Sequence, residues 1–141
     1  MPYWRLYYHV VWATAGRQPW LVGDRAELVE AVLRKKVHDH HGLVHAAKAM
    51  PDHIHLAISL PATGTLASMI GEAKGASSFL VRRRYQDLVE QGFAWQGEYG
   101  VVSFDELDLS RIIAYIRNQE AHHRHDNLSA TLERDTDPTN R

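Results

Sequence analysis

Pro51-Asp52-His53-Ile54-His55-Leu56-Ala57-Ile58-Ser59-Leu60 alternates in character along its length. In an extended chain, successive side chains leave on opposite faces. Ile54, Leu56, Ile58 and Leu60 therefore share one face, an apolar set suited to packing against helices. His53 and His55 share the other face with Ala57 and Ser59, whose small side chains leave room beside two imidazoles for a metal ion and a substrate. The pattern predicts a strand over 53–60, entered through Pro51-Asp52 and stopped at Pro61. Taken alone, His-x-His fits a solvated sheet face at least as readily as a metal site.

Residues 43–50 read as the preceding strand. Residues 3–14 are aromatic and β-branched and read as another, broken by Ala15-Gly16-Arg17-Gln18-Pro19. Asp24 is a candidate cap for a helix over about 25–41, with Leu28, Val29, Val32, Leu33 and Val37 at helical spacing and His41-Gly42 at its end. Thr65 begins a second helix running to about Tyr85, with Leu66, Met69, Ile70, Ala73, Ser77 and Leu80 on one side. Residues 98–104 read as a fourth strand, and a third helix spans about 108–123. The order β-α-β-β-α-β-α predicts an α+β, ferredoxin-like fold, an antiparallel sheet with helices packed on it. Residues 1–126 form one domain in this reading, and residues 127–141 a polar, flexible tail.

Composition narrows the function. The chain has 141 residues, no cysteine and a formal charge of −1 from 16 basic and 17 acidic side chains. Absent cysteine excludes a disulfide framework, a thiolate zinc site and a cysteine nucleophile, and fits a cytoplasmic protein. The charge argues against coating duplex DNA by bulk electrostatics. It is unevenly spread, +3 over residues 1–50, −1 over 51–100 and −3 over 101–141. No apolar run is long enough for a membrane helix, the opening residues do not read as a secretory leader, and no phosphate-binding glycine loop suggests a nucleotide cofactor. Ten histidines are many for this length.

The third helix adds two polar groups. With Leu109 at zero and about 100° per residue, Ile112, Ile113 and Ile116 form a core stripe. Tyr115 and Gln119 lie one turn apart on its flank, where they could reach over the sheet towards His53 and His55. His122 continues that flank, whereas His123 points to the core. By itself this spacing fits an amphipathic tyrosine at a core boundary as well as a site.

Together these features resemble the single-tyrosine HUH transposases of the 200/605 insertion-sequence group and their REP-associated relatives. The resemblance rests on Tyr8-His9-Val10-Val11-Trp12, Met50-Pro51-Asp52-His53-Ile54-His55-Leu56, Lys74-Gly75-x-Ser77-Ser78, Trp95-Gln96-x-x-Tyr99-Gly100 and Tyr115-Ile116-x-Asn118-Gln119-x-x-His122-His123. It implies that His53, His55 and Gln119 hold a divalent metal, Mg²⁺ or Mn²⁺, and that Tyr115, on the last helix, is the catalytic nucleophile. The implied substrate is single-stranded DNA bearing hairpins, cleaved and rejoined through a 5′-phosphotyrosine. The family places the protein in a bacterial-type cytoplasm, acting at the nucleoid. Two biological settings stay open, an autonomous insertion-sequence transposase and a domesticated REP-associated nuclease or DNA-binding protein. Monomer and homodimer stay open as well, with residues 98–104 a candidate dimer edge.

Single-strand recognition combines cations with aromatic platforms. Arg5, Lys74, Arg82, Arg83 and Arg84, with Tyr3, Trp4, Trp12 and Trp95, are the candidates. Each aromatic fits the core equally well, and the arginine triplet fits a solvated helix end. The clusters His38, His40, His41 and His122, His123, His125 read as polar helix ends.

Overall fold

A four-stranded sheet, wholly antiparallel and ordered β2-β3-β1-β4, organises the computed structural model, which describes residues 3–119 and 130–135. The strands are β1 (Tyr7–Ala13), β2 (Leu43–Met50), β3 (His53–Ser59) and β4 (Gly100–Phe104). The helices are α1 (Asp24–Asp39), α2 (Leu66–Arg84), α3 (Gln86–Glu90), α4 (Leu109–Arg117) and the single turn α5 (Ala130–Glu133). The ferredoxin-like, α+β expectation holds.

Each face of the sheet has its own core. Ile54, Leu56 and Ile58 of β3 join Val10 and Trp12 of β1, with Val29, Leu33 and Val37 of α1 and Met69, Ile70 and Ala73 of α2. On the opposite face Ala46 and Ala57 pack against Ile112 and Ile116 of α4 and Leu132 of α5. Fully burying an isoleucine stabilises a fold by roughly 1.5–3 kcal/mol. Burial of Ile112 and Ile116 therefore favours the seating of α4 on the histidine-bearing face. Every residue of β3 except Ser59 is buried, so that face is a covered surface, not a solvated one.

Local boundaries differ from the sequence reading for physical reasons. Strand β1 starts at Tyr7, because pairing with both β3 and β4 begins there. Asp24 is the first helical residue, and Gly23, with φ +58°, takes the cap position before it. Helix α1 stops at Asp39. His41 carries the left-handed turn at φ +61°, and the amides of His41 and Gly42 close on the carbonyls of His38 and Val37. Gly42 serves packing instead, since a Cβ there would meet Leu60 and the Ser59 carbonyl at 2.7 Å. Thr65 caps α2 as expected, its hydroxyl accepting from the Ser68 amide. Helix α4 ends at its cap Asn118, whose side-chain amide donates to Ala114 O at 2.8 Å. The rest of the expected helix, with His122, His123 and His125, lies outside the described residues.

Candidate active site

Three imidazoles meet at the centre of the sheet. In the β1–β3 register Val11 faces His55, Ala13 faces His53 and His9 faces Ala57, which sets all three histidines on the α4 side. All three are buried. His9 Nε2 and His55 Nδ1 share a hydrogen bond of 2.9 Å, and their rings stack at 5.1 Å. His53 Nδ1 donates to Asp52 Oδ1 at 2.6 Å. The rings of His53 and His55 meet edge-on at 4.9 Å.

Their electrostatics diverge. Burial, reinforced by His55, pushes His9 down to about 3, so this imidazole is neutral at physiological pH. Burial also lowers His53, but its hydrogen bond to Asp52 and the nearby Glu133 carboxylate outweigh that and leave it above its ordinary value. The same contact with His53, despite the opposing effect of burial, holds Asp52 below the usual carboxylate range.

Helix α4 delivers Tyr115, because Ile112 and Ile116 anchor its apolar stripe and turn the flank towards β3. The Tyr115 ring lies 6.2 Å from the His55 ring, edge to face, within one chain. Gln119 is fully buried, and its Nε2 donates to Tyr115 O at 3.2 Å. The structure thus gathers His53, His55 and Tyr115, with Gln119 one turn beyond the tyrosine.

A carboxylate completes the group. Glu133 of α5 accepts from Tyr115 Oη at 2.7 Å and from His55 Nε2 at 3.2 Å, and His53 Nε2 lies 3.4 Å away. Burial would raise Glu133, yet the close approach of His53 and the hydrogen bonds from His55 and Tyr115 hold it well below the usual carboxylate range. Sequence reasoning assigned no role to Glu133, which lies in the stretch read as a polar, flexible tail. Its only signal was the apolar neighbour Leu132 in a polar run. His9 and Asp52 were within the quoted motifs but had no role. Strand alternation through Tyr7, His9 and Val11 would have put His9 on the histidine face.

Residues 2–119 match the family model described as "Transposase IS200 like". The chain belongs to that family. It is 29% identical over 119 residues to the ISDra2 transposase TnpA of Deinococcus radiodurans, a match covering 82% of this chain and 85% of the relative. The transposase of insertion sequence element IS200 from Salmonella typhimurium is 29% identical over 85 residues, 60% of this chain and 56% of that protein. Among solved structures, one described as a transposase from Deinococcus radiodurans superposes with TM-score 0.68 at 27% identity, covering 84% of this chain and 95% of the other. A REP-associated tyrosine transposase bound to a REP hairpin superposes with TM-score 0.66 at 16% identity, covering 87% and 74%, and shares the fold.

The cations singled out for DNA contact are not gathered around the histidines of this IS200-like transposase. Lys74 is half-buried and donates to the carbonyls of Gln96 (2.7 Å) and Glu98 (2.9 Å), fastening the loop before β4. Arg82 reaches Phe93 O at 3.4 Å, and Arg5 pairs with Glu106 at 3.5 Å. Arg83 and Arg84 are exposed and flank a depression with Leu28 and Leu80, on the helix layer opposite α4. Trp12 is wholly buried, and Trp95, half-buried, donates to Ser77 Oγ at 2.9 Å. Tyr3 is 79% exposed and Trp4 partly so. Of the first histidine cluster, His40 pairs with Glu72 at 2.6 Å at the surface. No helix among the described residues is long and apolar enough to cross a membrane.

Proposed function

We propose that this IS200-like transposase cleaves and rejoins single-stranded DNA at hairpin-bearing ends, with Tyr115 as nucleophile and His53, His55 and Gln119 as ligands of Mg²⁺ or Mn²⁺. The observation that carries this is the convergence of Tyr115 Oη and the Nε2 atoms of His53 and His55 on one carboxylate at the covered face of the sheet. The donor set fits a divalent cation. Each histidine has its Nδ1 engaged, His53 by Asp52 and His55 by His9, which turns Nε2 of both inward. For His55 to present an Nε2 lone pair, its Nδ1–H must donate to His9 Nε2. The neutral state of His9 keeps that acceptor available.

A divalent cation bound there supplies Lewis-acid polarisation of the scissile phosphate. The chain's own groups do the rest. Tyr115 Oη, oriented by its hydrogen bond to Glu133, attacks phosphorus and gives up its proton to solvent; the new tyrosyl–phosphate bond replaces the bond to the departing 3′ oxygen, which takes up a proton. A DNA 3′-hydroxyl reverses the exchange, so rejoining consumes no nucleotide cofactor. The exposed Arg83, Arg84 and Tyr3 are the described candidates for strand contact.

The test is a 5′-labelled single-stranded hairpin oligonucleotide incubated with the protein and Mn²⁺. Cleavage that requires the ion and vanishes in His53→Ala supports the reading. Full cleavage by His53→Ala, or in the presence of excess chelator, overturns the metal assignment.

A further inference from the structure

We infer that Glu133, delivered by α5, is an additional protein ligand of the metal centre, giving it an anionic oxygen donor beside two imidazoles. This rests on the reading of His53 and His55 as metal ligands. The ligand atoms of His53, His55 and Glu133 all lie within 4.8 Å of one another. Around a Mg²⁺-sized ion with bonds of about 2.1 Å, adjacent octahedral donors stand ~3 Å apart. The carboxylate lies 3.2 Å from His55 Nε2 and 3.4 Å from His53 Nε2, close to that spacing. Hard divalent cations also favour carboxylate oxygen, and a site of two imidazoles and one amide has no anion to offer.

The position of Glu133 is built, not incidental. On its N-terminal side Leu132 is buried against Ala46, Ala57, Ile112 and Ile116. On its C-terminal side Asp135 accepts from Arg17 at 3.0 Å, and Arg17 lies 3.7 Å from Asp52, the partner of His53. Between these anchors the backbone crosses β4 at Gly100, where any Cβ would collide with the Arg134 carbonyl. The same carboxylate accepts the Tyr115 hydroxyl proton in a 2.7 Å hydrogen bond, so one side chain joins the nucleophile to the metal ligands.

Calorimetric titration of the full chain with MnCl₂, without DNA, tests this in wild type, Glu133→Gln, Glu133→Asp and His53→Ala. Thermal melts without metal check that each variant folds. We expect Glu133→Gln to weaken Mn²⁺ binding by roughly tenfold or more, Glu133→Asp to weaken it comparably because the carboxylate is withdrawn, and His53→Ala to abolish it. Unchanged affinity in Glu133→Gln, with binding lost in His53→Ala, overturns the Glu133 assignment and leaves the histidine site standing. Wild-type affinity in Glu133→Asp, with weakening in Glu133→Gln, makes Glu133 a distant charge and overturns it. Tighter binding in Glu133→Gln makes Glu133 a competitor of the ion and also overturns it. Absence of Mn²⁺ binding by the folded wild type removes the metal reading and this inference together.

Discussion

An imidazole buried without its charge gives His9 a measurable signature. In the unfolded chain a histidine titrates near 6.5, whereas folded His9 is pushed down to about 3. Below about pH 6.5 the unfolded chain therefore binds a proton that the folded chain refuses, and stability is lost as pH falls through that window. At pH 5 the loss from this residue is about 2 kcal/mol. His9→Asn removes it. Urea unfolding at pH 7 and pH 5 should show wild-type stability falling by about 2 kcal/mol more than that of His9→Asn. Parallel losses would mean that His9 is not held neutral. The sign matters for the proposed site too, because a protonated His9 could not accept the Nδ1 proton that a metal-ligating His55 would carry.

At the scale of elements, the contacts that fasten residues 130–135 include the buried Leu132, the Glu133 hydrogen bonds to Tyr115 and His55, the Arg17–Asp135 ion pair and the close approach to Gly100. Gly100→Ala attacks the last of these without altering any side chain of the site. It should displace residues 130–135 from β4, raising hydrogen exchange or proteolysis there by about tenfold or more, an opening made easier by ~1.4 kcal/mol. Exchange in β1 and β3 should stay near wild type. Unchanged protection of 130–135 would contradict the packing described for Gly100. The strands, α1, α2 and α4 were legible in the sequence, because alternation along β3 and the stripe Ile112, Ile113, Ile116 follow periods that packing enforces. Tyr115 and Gln119 were legible as a pair for the same reason. Helix α5 was not, since a four-residue turn has no period to read and one buried leucine is a weak mark. The end of α1 shows the same limit at smaller scale. His-Gly signals a stop, but which residue takes positive φ was set by packing of Gly42 against Leu60 and Ser59.

For the whole molecule, the two faces of the sheet divide the labour. The Ile54 face, under α1 and α2, supplies most of the core, while the His55 face, under α4 and α5, trades part of its apolar contact for polar groups that hold one another. A net charge of −1 is compatible with this design, because the chemistry needs a local site and not a positive coat. The ten histidines had the same lesson: His53 and His55 gain meaning from Tyr115, and His9 from His55. Covalent attachment is the outcome that a protein nucleophile produces and an activated water does not. Incubation with single-stranded hairpin DNA and Mn²⁺, followed by denaturing electrophoresis and peptide mass spectrometry, reads it out. The account predicts a protein–DNA adduct mapping to Tyr115 that is absent in Tyr115→Phe, while the variant melts like wild type. An adduct that persists in Tyr115→Phe, or cleavage by wild type with no covalent species, would contradict it.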